Sequence, residues 1–147
     1  MSKSAPKKAA PANLALLFRE PFRAGNELLH RRFAEGGHPD IRPPHGAVFP
    51  FLDEEGTRVS VLAERAEITK QAMAELIEHL ERHGYVERIP DPTDRRAKLV
   101  RATDKGRELY VIAGDVLAEI EADWSRKLGK RKMAQLRQLL EELNEKL

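Results

Sequence analysis

Apolar residues recur at helical spacing in five stretches of the chain and give way to a strand-like pattern mainly in one. Asn13 can cap a first helix running to about Ala34, with Leu14, Leu17, Phe18, Phe22, Leu28, Leu29 and Phe33 on its apolar face and Gly36-Gly37 as its stop. Pro21 lies inside that stretch, so the helix should kink near Leu17 to Pro21 or begin later, because proline removes one backbone bond and crowds the preceding turn. His38 to Pro43 reads as a loop, and Pro44 suits the first turn of a short helix through about Leu52, ended by Asp53-Glu-Glu-Gly56. Thr57 to Val59 predicts a short strand. Ser60 then caps a helix holding Val61, Leu62 and Ala66, with a turn at Glu67-Ile68. Thr69 caps a longer helix whose Ala72, Met73, Leu76, Ile77 and Leu80 point to the core, and Gly84 supplies a left-handed stop. The opposite side of this helix carries Lys70, Gln71, Ala74, Glu75 and Glu78.

Tyr85-Val86 and Leu99-Val100 flank a turn rich in Pro, Asp and Arg, which reads as a β-hairpin. Thr103 caps a long helix to about Leu128, striped by Leu109, Ile112, Val116, Leu117, Ile120 and Trp124, and Gly129 breaks it. A last helix from Lys130 sets Met133, Leu136, Leu139, Leu140, Leu143 and Leu147 on one face. The terminal helices hold more apolar surface than the small hairpin lobe can cover, which predicts a two-fold homodimer. Its interface is expected to draw on Leu14, Leu17, Leu109, Ile112, Val116, Ile120, Trp124, Leu136, Leu140 and Leu143.

Composition narrows the class. At 147 residues and 41% hydrophobic content the chain can bury one core. The net charge of +2 says little, but Arg88 to Arg107 holds seven Lys/Arg against three acids, a local +4. The absence of cysteine removes disulfides, thiolate metal sites and thiol redox sensing. No run approaches the apolar length of a membrane span and the N-terminus lacks a secretory core, so a cytoplasmic protein with no membrane partner is expected. Residues 1–12, with Lys3, Lys7 and Lys8, read as a disordered basic tail. Helix, tight turn, helix and an arginine-tipped hairpin form an object with one polar helix for a major groove and a basic finger beside it, so double-stranded DNA is the leading partner.

Five segments carry a specific resemblance: Val61-Leu-Ala-Glu-Arg65, Thr69-Lys-Gln-Ala72, Leu80-Glu-Arg-His-Gly-Tyr-Val-Glu-Arg88, Asp91-Pro-Thr-Asp-Arg-Arg-Ala-Lys98 and Thr103-Asp-Lys-Gly106. In this order and spacing the sequence resembles the multiple antibiotic resistance regulator (MarR) family. The resemblance implies a mainly α fold with a small β-hairpin wing: a winged helix-turn-helix lobe at 56–103, N-terminal helices at 13–55 and C-terminal dimerisation helices at 104–147. It implies a homodimer on a pseudo-palindromic operator, commonly a repressor that a small ligand releases, with helix 69–83 in the major groove. Gln71 can pair with adenine, Lys70 with guanine or a phosphate, and Ala74 and Glu75 lie on the same outward face. Thr69 is read first as a cap and second as a base contact; Ser60 is read as a cap that also touches a phosphate. In the wing, Asp94 and Arg96 match the family's pair, in which the carboxylate orients the guanidinium entering the minor groove, with Arg95 and Lys98 on phosphates. Glu67 stands where the family often has glycine, so it must take a positive φ or alter the turn.

The family's effector pocket lies where the dimer helices meet the DNA-binding lobe, which points to Phe22, Arg23, His30, His45 and Phe49 and to a small aromatic or anionic effector. His38 with His45, and His79 with His83 at helical spacing, suggest metal pairs, but neither has a third ligand, so no metal or other cofactor is expected. No glycine-rich phosphate loop and no nucleophile beside a base argue for an enzyme. The competing reading is a winged-helix module that binds a protein and does not read DNA, favoured by Glu75, Glu78 and Glu81 and opposed by Arg95, Arg96 and Lys98.

Overall fold

The computed structural model describes residues 13–147, so the basic tail expected at 1–12 lies outside the described residues. Helix α1 spans Leu14–Glu35, α2 Val59–Arg65 and α3 Lys70–Arg82; strands β1 (Val86–Asp91) and β2 (Asp94–Ala102) form an antiparallel hairpin; α4 spans Asp104–Leu128 and α5 Lys130–Asn144. Three caps follow from side-chain oxygens: Asn13 accepts from the Leu16 amide, Thr69 from Ala72 and Thr103 from Gly106, at 3.0 to 3.1 Å. The chain is mainly helical with a two-strand wing, as the sequence predicts.

Three helices end in the same way. Beyond α1, α2 and α3, the amide two residues past the cap donates to a carbonyl five positions back (His38 to Phe33, Ile68 to Ala63, Tyr85 to Leu80), and the residue between is left-handed. That residue is Gly37 or Gly84 in two cases and Glu67, at φ 54°, in the third. Glu67 therefore takes the positive φ that the sequence posed as one of two outcomes.

Several expectations are corrected. Helix α1 begins directly after Asn13 and continues through Pro21, which rules out the later start; Leu17 and Pro21 both lie in an exposed stretch of the helix. The segment expected as one helix up to Leu52 is a pair of 3-10 turns, Pro43–Ala47 and Phe49–Phe51, because three prolines withhold amides and the bonds present run from Val48 to His45 and from Phe51 to Val48. Thr57 makes a single bridge to Val100 in place of a strand. That bridge brings the chain into α2 at Arg58, so Ser60 lies inside the first turn and is no cap. Leu147 lies beyond the end of α5.

The core sits between α2, α3, the hairpin base and the proline-rich turns: Val48, Leu62, Met73, Ile77, Leu80, Tyr85, Val86 and Val100 are inaccessible or nearly so. Against this, α5 buries none of its residues and α1 buries only Phe33. Helix α1 packs on α4 and α4 on α5. Leu109 and Val116, expected in a dimer interface, are 2% and 1% exposed and belong to the interior of the subunit. Their spacing on the stripe is that of an interface residue, but their side of α4 faces the chain's own core. No helix of the described residues is long and apolar enough to cross a membrane.

Candidate nucleic-acid interface

Helix α3 is held from below by Met73, Ile77 and Leu80, all fully buried, so its opposite side is fixed outward. Thr69, Lys70, Gln71 and Glu75 are exposed or half-exposed and Ala74 is half-buried between them; Ser60 is exposed on α2. The Thr69 hydroxyl is engaged with the Ala72 amide, so its capping role is realised.

Helix α3 also packs on β1, which sets the wing beside it. The hairpin ladder runs from Val86 opposite Ala102 to Pro90 opposite Lys98, then slips so that Asp91 faces Asp94. Pro90 offers no amide, and side chains hold the tip in place of the ladder. Asp91 Oδ1 accepts from the Thr93 amide at 2.8 Å and from its hydroxyl at 2.7 Å. Asp91 Oδ2 accepts from Arg58 Nε at 2.7 Å and lies 2.6 Å from Nη2. The Thr93 donors, with Arg58 beside them, hold the Asp91 carboxyl down at about 2.

The basic hairpin region sorts its cations into two groups. Arg88 pairs with Glu81, Arg101 with Glu87 and Arg107 with Asp104, at 2.7 to 3.1 Å. Lys105 donates to the His83 carbonyl and lies over the Tyr85 ring. Arg95, Arg96 and Lys98 have no ion pair among the described residues, and all three are exposed or half-exposed at the tip. Asp94 contacts Arg96 through the backbone, accepting from its amide at 2.9 Å; the expected carboxylate-to-guanidinium contact is not made. The guanidinium nearest Asp94 is that of Arg58, at 3.9 Å. Asp91 and Arg58 are not among the site residues that the sequence predicts. Asp91-Pro-Thr carries a local turn signal, but nothing near Arg58 in the sequence marks a partner 33 positions on.

A second region gathers the predicted pocket residues. Phe22, His30, His45 and Phe49 line a cavity of about 570 Å³ together with Phe33 and Tyr110. Arg23 lies outside it but lines an adjoining pocket that shares Phe22 and His30, with its guanidinium paired to Glu20 at 2.9 Å and Glu27 at 2.5 Å on the same helix. Burial, with His79, Arg42, His30 and His83 as like-charged neighbours, lowers His45 to about 4, so the ring is neutral, and its Nδ1 accepts from the Arg42 amide. The His45 ring stacks on His79 at 4.5 Å and His79 lies 4.2 Å from His83, which joins the cavity wall to α3. His38, which the sequence groups with His45, is instead buried against Tyr85. Among the described residues no group of three or more His, Asp or Glu is placed to hold a metal.

The fold recurs in known proteins. The MarR family model matches residues 40–97, which include both α2 and α3 and most of the wing. The transcriptional regulator HosA of Escherichia coli O111:H- is 26% identical over 130 residues, covering 86% of this chain and 96% of HosA. The reduced form of MarR from E. coli superposes with a TM-score of 0.75 at 19% identity, over 91% of this chain and 98% of that one. A point mutant of S. aureus MepR, solved bound to an oligodeoxyribonucleotide, superposes with a TM-score of 0.62 at 20% identity, over 92% and 98% of the two chains.

Proposed function

Because the chain belongs to the MarR family of winged helix-turn-helix, DNA-binding transcriptional regulators, we propose that it acts as a homodimeric repressor on a pseudo-palindromic operator and is released by a small ligand. Helix α3 enters the major groove, where Gln71 selects a base and Lys70 reaches guanine or a phosphate, with Ser60, Thr69, Ala74 and Glu75 at the same surface. The wing reaches the minor groove through Arg96, with Arg95 and Lys98 on phosphates. The observation that carries this reading is the sorting of cations: those at the hairpin base are neutralised within the chain, and those at its tip are left for an external anion.

The ligand belongs to the 570 Å³ cavity. Phenylalanines and Tyr110 with a neutral His45 favour a small aromatic molecule, and the pairing of Arg23 with Glu20 and Glu27 leaves little free positive charge for an anionic one. The segment 13–55 supplies its outer wall, 56–103 the DNA-binding lobe and 104–147 the dimerisation helices.

Binding-site selection from a random duplex library, followed by mobility shifts across a salt series, tests the DNA arm. Arg96→Ala is expected to weaken binding to most sequences by roughly tenfold, and Gln71→Ala to relax preference at one position of each half-site. An unchanged motif with Gln71→Ala removes that residue from the reading set. Failure to bind any duplex at low salt favours the protein-interaction reading, since phosphate contacts strengthen as salt falls.

A further inference from the structure

We propose that Arg58 is a positioning residue for the wing, fastening both shoulders of the hairpin turn to the start of α2 and so fixing the direction in which Arg96 leaves it. The inference rests on the reading of Arg96 as the residue that enters the groove.

The geometry is that of a hub. Arg58 stands at the entrance to α2, in extended conformation, and its own side chain caps nothing there. Its Nε and Nη2 converge on Asp91 Oδ2 at 2.7 and 2.6 Å, and Nη2 lies 3.9 Å from Asp94 Oδ2. Each carboxylate then holds backbone with its remaining oxygen: Asp91 Oδ1 takes the Thr93 amide, and Asp94 Oδ1 takes the Arg96 amide. The path from Asp91 to Arg96 is thereby tied to one guanidinium that belongs to the helix-turn-helix and not to the hairpin.

Little else can do this. The ladder slips between Pro90 and Asp91, so regular strand bonds do not dictate how the tip leaves the sheet. The Asp91 side chain is 5% exposed, and Arg58 is the one cation paired with it among the described residues, beside the two Thr93 donors. Lysine is a poor substitute, since a single ammonium point cannot match the planar fork that meets one carboxylate with two donors while approaching another. The residue thus couples the wing to the helices that carry α3, the two parts that must meet one duplex in register.

The test uses the full chain and a duplex enriched by the wild-type protein from a random library. Four proteins are compared with wild type: Arg58→Gln, Arg58→Lys, Arg96→Ala, and Arg58→Gln with Arg96→Ala. Each of Arg58→Gln and Arg96→Ala is expected to weaken binding roughly tenfold, and the double variant no more than about twofold beyond Arg96→Ala, because a residue acting through Arg96 has nothing left to position. In the DNA-free protein, NMR amide exchange at Thr93 and Arg96 is expected to rise in both Arg58 variants while Leu109 in α4 keeps its protection. Additive losses of roughly a hundredfold in the double variant, with wing exchange unchanged, would overturn the proposal and make Arg58 a direct phosphate contact. A rise in exchange shared by wing and core alike would overturn it in favour of a general stabilising role. Should Arg58→Gln fail to fold, Arg58→Lys, alone and combined with Arg96→Ala, is read by the same two criteria. If Arg96→Ala alone leaves binding intact, the wing reading fails, and unchanged exchange at Thr93 and Arg96 would overturn the latch itself.

Discussion

The backbone of Gly106 lies directly against the carbonyl of Tyr85. That carbonyl accepts from the Thr103 amide at 3.0 Å, and the Thr103 hydroxyl donates to the Gly84 carbonyl, so the first turn of α4 is clamped to the end of α3. A Cβ on Gly106 would overlap the Tyr85 oxygen and sit 3.2 Å from its carbon and 3.3 Å from Ala102 Cβ. Two of these neighbours are backbone and cannot swing away. Gly106→Ala is expected to destabilise by on the order of 3 kcal/mol. Gly114, exposed in the same helix, meets nothing within 4 Å, and Gly114→Ala should stabilise by about 0.5 to 1 kcal/mol. Urea unfolding of the two variants checks this; similar midpoints would refute the clamp.

Glu67 occupies the same left-handed station after α2 that Gly37 and Gly84 occupy after α1 and α3. A non-glycine residue there meets its own carbonyl, at a cost of about 1 kcal/mol. Glu67 is exposed, so its side chain can be removed without opening the core. Glu67→Gly is therefore expected to raise stability by about 0.5 kcal/mol, the gain being trimmed by the greater freedom of glycine in the unfolded chain. Thermal melting measures it, and a lower Tm would mean that Glu67 makes a compensating interaction.

What the sequence makes legible is local. Thr69, Asn13 and Thr103 can be read as caps because each partner amide is three residues away, and α3's buried face because helical spacing puts Met73, Ile77 and Leu80 on one side. The pattern misleads where two distant segments compete for one group. Ser60 has the chemistry of a cap, yet the bridge of Thr57 to Val100 moves the helix start to Arg58. Leu109 and Val116 show why an apolar stripe cannot separate a chain's own core from a partner's surface: both uses demand the same residues at the same spacing. Arg23 suits a ligand because arginine binds anions, but Glu20 and Glu27 one turn to either side already satisfy it.

His45 sets a pH dependence. Its ring resists protonation until about pH 4 in the folded chain against 6.5 in the unfolded chain, burial being the main cause and His79, Arg42, His30 and His83 adding to it. Between those values the unfolded chain binds the extra proton, so stability rises with pH. The contribution is complete above 6.5 and is lost as pH falls towards 4. His45→Gln removes the titration and keeps an acceptor for the Arg42 amide. Urea unfolding from pH 7 to 4.5 should show wild type losing more stability than the variant, and parallel curves would mean that His45 ionises freely in the fold.

The uncovered faces of α1 and α5 make the oligomeric state the most exposed part of the functional proposal. Leu14 is 67% exposed, Leu17 57%, Leu136 37% and Leu143 43%, on elements whose other sides rest on α4. Apolar surface of this kind gains roughly 25 cal/mol per Å² when covered, and the proposed second copy would cover it with the symmetry that the proposed pseudo-palindrome requires. Leu17→Glu with Leu143→Glu places two charges in that surface without touching α3 or the wing. The double variant is expected to sediment as a monomer with a dimer affinity lowered at least roughly a hundredfold, while wild type sediments as a dimer with a Tm that rises with concentration. On DNA the variant should lose affinity for a full selected site and keep that of wild type for a half-site. Wild type sedimenting as a monomer, with Tm independent of concentration, would remove the dimer and with it the paired engagement of successive turns of the duplex.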